Sequence, residues 1–186
     1  MASSFTVLLS LLLLACMAAP SLLSSEASAA AAPRVPRGAA TAAAFLSALN
    51  EARANVSVPP LSWNATVARV AKAQVSWVRS SGVCKASQID KSPVPLVWST
   101  TYYTSPGRRR TPSDAVWSWV NERQWYDHGS NTCAPGKQCG DYTIVVKRAW
   151  QEVGCALVAC ASGGTVMACD YSPGTNRMPD PKEPPY

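Results

Sequence analysis

Cys139-Gly140-Asp141-Tyr142-Thr143-Ile144-Val145-Val146 is the stretch whose reading decides the fold. From Asp141 to Val146 nearly every residue is β-branched or aromatic, the composition of a packed strand. It reads as a short buried strand entered from a cysteine loop. Upstream, Cys133 and Cys139 bracket Ala-Pro-Gly-Lys-Gln, a turn-rich loop that a disulfide could close. Downstream, residues 153–160 and 165–171 flank Gly163-Gly164, the signature of a hairpin between two further strands. The C-terminal half is therefore expected to hold a three-stranded sheet tied by cysteines.

The rest of the chain sets the frame for that sheet. A length of 186 residues suits one domain of roughly 150 with a real core. Residues 1–29 stand apart as a signal peptide: Val7 to Ala19 is an apolar run too short to span a bilayer, and Ala27-Ser28-Ala29 offers a small-x-small cleavage pattern. The segment carries no Lys or Arg before its apolar run, a departure from the usual signal pattern. Its removal takes Cys16 and Glu26 with it, leaving six cysteines and a charge of 17 basic minus 10 acidic, or +7. An even count in a secreted chain implies up to three disulfides, with fifteen connectivities open to spacing alone. A zinc site is disfavoured, because there is no C-x-x-C pair and only one histidine, His128. Basic charge attracts anionic walls or headgroups, though solubility explains it as well.

Taken in order, residues 30–40 read as a mobile Ala/Pro/Arg leader. Residues 41–54 read as a helix with Phe45, Leu49 and Ala52 on one face, closed by Val58-Pro59-Pro60. Asn64 caps a second helix to about Ser80, with Val67, Val70, Ala71, Gln74 and Val78 inward. Asn55-Val56-Ser57 and Asn64-Ala65-Thr66 are glycosylation sequons, and Asn55 is the better acceptor because a capping Asn64 is occupied. Residues 84–112 form a long connection with an aromatic middle, Trp98, Tyr102 and Tyr103, read as a strand edge or a binding loop. Arg108, Arg109 and Arg110 are a solvated tip, too few charges for nucleic-acid binding at physiological salt. Thr111-Pro112 with Asp114 opens a third helix through a capping-box pattern. Its stripe Val116, Trp119, Val120 continues into Glu122, a carboxylate that must be paired, hydrogen-bonded or lining a cavity.

Residues 115–122 (Ala-Val-Trp-Ser-Trp-Val-Asn-Glu), Tyr126-Asp127-His128, Cys139 to Val146, Val153-Gly154-Cys155 and Cys169-Asp170-Tyr171-Ser172-Pro173-Gly174 together resemble the plant pathogenesis-related class 1 proteins. These belong to the CAP superfamily of cysteine-rich secretory, antigen 5 and pathogenesis-related proteins. Leu49-Asn50-Glu51-Ala52-Arg53-Ala54 and Val58 to Trp63 fit as well, so the resemblance spans about residues 41–174. It implies an α+β fold, an α-β-α sandwich around a central antiparallel sheet, with a CAP domain over 41–172 and a Pro-rich tail over 173–186. It also implies disulfides Cys84–Cys160, Cys133–Cys139 and Cys155–Cys169, an extracellular location, and a lipid- or sterol-binding defence protein.

The departures from the family pattern reshape its central cleft. Two histidines and two glutamates hold a divalent metal there in some members. Here the positions fall on Asp141, Gln88, and Pro95 or Val94, and only Glu122 survives; the first-helix histidine is Leu49, and Ile144 and Lys147 replace a Gln and a Trp. One Glu, one Asp and an amide are a poor zinc set, so neither metal nor cofactor is expected. If Glu122 and Asp141 face each other, one should titrate high, and an acid–base hydrolase is the minor reading. The main expectation is a monomeric, non-enzymatic binder of a sterol, another lipid, or an extracellular protein or wall partner, acting through Trp98, Tyr102 and Tyr103. The alternative is a peptide precursor: the tail has five prolines in fourteen residues and suits an extended, protease-accessible segment.

Overall fold

The computed structural model describes residues 37–186 apart from 83, 95–97, 108, 109, 176 and 181. The signal-peptide reading of 1–29, most of the leader, Pro95 and the Arg108-Arg109 tip lie outside the described residues.

Helix α1 (Arg37–Ala54) begins inside the stretch read as a mobile leader, which corrects that boundary. Phe45, Leu49 and Ala52 are buried along it, at the spacing the sequence shows. Strand β1 (Ser62–Trp63) leads into α2 (Ala65–Ser80), where the Asn64 side chain accepts from the N–H groups of Thr66 and Val67 at 2.8 and 3.2 Å. After a 3-10 helix (Ala86–Lys91) comes β2 (Ser99–Thr104), then α3 (Pro112–Asn121), whose Thr111–Asp114 capping box is formed. A minor hairpin, β3 (Tyr126–Asp127) and β4 (Thr132–Cys133), precedes α4 (Gly140–Val145). The chain then runs through β5 (Glu152–Ala159) and β6 (Thr165–Ser172).

Two sequence expectations change here. The stretch from Cys139 to Val146 is a helix, not a strand. Its buried residues are Tyr142, Val145 and Val146, an i, i+3, i+4 pattern, and Glu122 caps its first N–H groups, so tertiary contacts outweigh β-branched propensity. The main sheet runs β1-β5-β6-β2, with β1 parallel to β5 and the other pairs antiparallel, so it is mixed rather than purely antiparallel.

Alternation along β5 and β6 builds two cores. Val153, Cys155, Met167, Cys169 and Tyr171 face α1, α3 and α4, packing with Phe45, Leu49, Trp119, Tyr142 and Trp150. Ala156, Val158, Val166 and Ala168 face α2, packing with Ala71, Val75, Val78 and Ile89. Val75 belongs to that inward stripe although the sequence reading omitted it. A side chain on Gly154 would run into the backbone of Ala68, so α2 rides directly on β5. The disulfides are Cys84–Cys160, Cys133–Cys139 and Cys155–Cys169.

One fully buried charge binds these layers. Arg53, at the end of α1, donates from Nε to Pro59 O at 2.8 Å, from Nη1 to Val145 O and Lys147 O at 2.9 Å each, and from Nη2 to Trp150 O at 3.1 Å. The tail, largely exposed, touches the edge formed by α4 and the β3–β4 hairpin through its described residues 177–180 and 182–186, with Tyr186 Oη 2.9 Å from Tyr142 Oη.

Removing the guanidinium would leave four carbonyls without their donor. Arg53→Ala is expected to lower the unfolding free energy by about 3–5 kcal/mol. Arg53→Lys should recover only part, because an ammonium lacks the planar fork that spans these acceptors. Urea unfolding of the purified variants measures both.

Candidate functional site

Glu122 ends α3 and aims its carboxylate at the start of α4. Its Oε2 accepts from the N–H of Asp141 at 2.9 Å and of Tyr142 at 3.3 Å. That lashing places Asp141 beside Glu122, half-buried under the first core. Burial first, and the Glu122 charge second, push Asp141 up to about 7. The two carboxylates singled out from the sequence are thus brought together. Gln88 is not: it sits on the 3-10 helix that packs with α2 and β2, and no hydrogen bond joins it to either carboxylate.

These residues are a poor donor set for a divalent metal: Glu122 is engaged as a helix cap, and Gln88 lies on another element. Among the described residues no group of three or more His, Cys, Asp or Glu side chains could hold a metal ion. No hydroxyl or thiol among the described residues is hydrogen-bonded to the pair.

A second buried carboxylate went unnoticed in the sequence. Asp170 on β6 lies opposite Ser99 and faces α2 with Gln74. Asp170 and Gln74 are buried, and neither their side-chain polar atoms nor Ser99 Oγ forms a well-aligned hydrogen bond. Burial pushes Asp170 up to about 6, with Ser99 and Gln74 offsetting a little of it. The sequence signal was its place in a strand of buried residues, where the resembling family carries Asn.

The aromatic candidates do not form an open loop. Tyr102 and Tyr103 alternate in edge strand β2, and Tyr102 packs on the first core while Tyr103 packs on the second. Trp98 stacks obliquely on Trp150 with ring centroids 5.6 Å apart. All three rings are half-buried. The exposed aromatic is instead Trp117, 68% accessible on α3. It borders a groove of about 600 Å³ between α1 and α3, floored by Ala44, Ala48, Val116 and Val120, with Glu51 and Asp114 among its polar residues. Its signal was its position two residues before buried Trp119, which places a large indole on the outer face of α3. Of the sequons, Asn55 is exposed, whereas the Asn64 amide donates to Glu152 Oε2 at 2.9 Å.

Helices on both faces of a mixed sheet, with three disulfides at these positions, define the CAP class. The cysteine-rich secretory protein family model matches residues 46–171, and the chain belongs to this family. Pathogenesis-related protein 1B of Nicotiana tabacum is 42% identical over 137 residues, covering 71% of this chain and 74% of that protein. Pathogenesis-related protein PRMS of Zea mays is 37% identical over 133 residues, covering 71% and 76%. Among solved structures, Schistosoma mansoni venom allergen-like protein 4 matches with a TM-score of 0.57 at 21% identity over 82% of this chain and 95% of that one. The hookworm platelet inhibitor matches at 0.59 and 18% identity, over 83% and 79%. The structural matches establish the fold; the sequence relatives make this a defence-related, pathogenesis-related class 1-like protein.

The raised carboxylates set the pH dependence of stability. An Asp held above its unfolded value near 4 contributes fully below pH 4, and that contribution is lost as pH climbs to about 6 for Asp170 and about 7 for Asp141. Taken in full these shifts amount to roughly 7 kcal/mol, and solvent screening of the half-buried Asp141 cuts that, so unfolding free energy is expected to fall by roughly 2–4 kcal/mol between pH 4 and pH 8. Asp141→Asn and Asp170→Asn should each flatten part of the slope, measured by urea unfolding across that range. Zinc added to the purified protein is expected to leave the melting midpoint unchanged in differential scanning fluorimetry; a large rise would contradict the donor-set argument.

Proposed function

We propose that this chain is a secreted, non-enzymatic defence protein that works by binding a neutral sterol-like lipid in the groove between α1 and α3. The observation that carries this reading is the exposed Trp117 indole bordering an apolar-floored groove of about 600 Å³, within the size range of small-molecule sites. The groove's charges choose among lipids. Asp114 is already committed to the Thr111 cap and to Arg110, so Glu51 is the carboxylate that repels a fatty-acid head and accepts a sterol hydroxyl as hydrogen-bond donor. Three disulfides suit an oxidising, extracellular compartment. The non-enzymatic part rests on Glu122 being used as a helix cap and on the missing nucleophile beside the carboxylate pair.

Trp98, Tyr102 and Tyr103 remain the competing lipid site, at the sheet edge. A peptide-precursor role meets an obstacle: cleavage ahead of Pro173 would leave the fragment held by the contacts of residues 177–180 and 182–186. A binding protein for an extracellular protein or wall partner would use the same Trp117 face.

Radiolabelled sterol binding to the purified wild type, Trp117→Ala and Trp98→Ala tests the assignment. Sterol is expected to bind the wild type and Trp98→Ala, to bind Trp117→Ala at least about tenfold more weakly, and to resist competition by palmitate. Loss in Trp98→Ala alone would move the site to the sheet edge, and no binding in any of the three removes the lipid reading.

A further inference from the structure

We propose that the channel beneath the tail is a peptide-binding site, filled here in cis by residues 177–180 and 182–186 and able to take, in trans, an extended proline-rich peptide carrying an aromatic residue.

The contacts are those of peptide recognition rather than of fixed packing. Five backbone oxygens of the tail are held by the body of the domain. Lys147, only 7% exposed, donates from Nζ to Asp180 O at 3.0 Å and to Glu183 O at 2.6 Å. Asn131 Nδ2 donates to Lys182 O at 2.9 Å, and the Arg148 N–H to Pro185 O at 2.6 Å. His128 Nε2 lies 2.8 Å from Tyr186 O. By contrast, among the described residues the only tail side chain hydrogen-bonded to the body is Tyr186, whose hydroxyl meets Tyr142. Its ring stacks on His128 with centroids 4.7 Å apart and meets Tyr126 and Tyr142 edge-on at 6.4 Å each. Recognition through main-chain oxygens plus one ring is tolerant of sequence, and prolines hold the extended shape at little entropic cost.

Two features separate this from an ordinary structural segment. Lys147 is a buried ammonium whose hydrogen bonds all go to the tail, so the body carries a charged group built for a peptide backbone. The fit is also incomplete: a cavity of about 160 Å³ remains between Glu183 and Pro185 of the tail and Trp98, Ile144 and Trp150 of the body. The space opens to solvent, so a bound peptide has accessible room beside the backbone contacts.

The test uses full-length protein and a fluorescein-labelled peptide, Arg-Met-Pro-Asp-Pro-Lys-Glu-Pro-Pro-Tyr, followed by anisotropy. The tethered tail competes at an effective concentration of order millimolar, so Tyr186→Ala, which loosens it, is expected to bind the peptide about tenfold more tightly than the wild type. A peptide ending in Ala should lose binding to both. Adding Lys147→Met or Asn131→Ala to the Tyr186→Ala chain should weaken binding, with the melting midpoint confirming that each variant is folded. Equal binding by wild type and Tyr186→Ala, or an undiminished Ala-ended peptide, overturns the proposal. Concentration-dependent dimerisation of the wild type that the peptide dissolves assigns the channel to a second copy's tail and overturns the assignment to a separate peptide.

Discussion

The structure depends on a guanidinium inside the protein. Arg53 carries the end of α1 into the layer where α4 hands over to β5, and its donors reach carbonyls at Pro59, Val145, Lys147 and Trp150. Val145 is the last residue of α4, and Lys147 and Trp150 lie in the irregular segment after it, where regular helix and ladder bonds run out. A buried charge is normally a liability, but here each hydrogen bond it makes is charge-assisted, and no carboxylate is needed. The same anchor fixes Lys147, whose carbonyl faces Arg53 and whose ammonium faces the tail. Lys147 therefore links the Arg53 anchor directly to the tail.

The fold was largely legible where side-chain spacing speaks for itself. The Asn64 and Thr111 caps, the Phe45–Leu49–Ala52 face and the alternation of β5 and β6 follow from local chemistry. The stretch from Asp141 to Val146 was not legible in that way. Its composition favours a strand, yet the carboxylate that caps it as a helix comes from Glu122, about twenty residues earlier, and propensity cannot see that. The parallel pairing of β1 was hidden for a similar reason: two residues, Ser62 and Trp63, are too few to show any period.

The candidate site was legible in part. Glu122 and Asp141 emerged because a charge on an apolar stripe, and an Asp where the resembling family has His, are conflicts within the sequence. Gln88 was placed by alignment alone, and its element packs elsewhere. Trp117, Asp170 and Lys147 were missed because their roles depend on what faces them across the fold. Trp98, Tyr102 and Tyr103 read from sequence as a sheet edge or a binding loop, and their rings contribute to the cores.

The three disulfides span very different lengths of chain: 6 residues for Cys133–Cys139, 14 for Cys155–Cys169 and 76 for Cys84–Cys160. Ring closure over the longest costs about 2 kcal/mol more entropy than over the shortest. The long Cys84–Cys160 ring therefore gains most from α2 being already packed on the sheet. Cys155, opposite Cys169 in the ladder, and Cys160 point to opposite faces, so bringing Cys160 opposite Cys169 would demand a five-residue shift of β5, an odd number that turns its apolar face to water. Strand register thus proofreads thiol pairing.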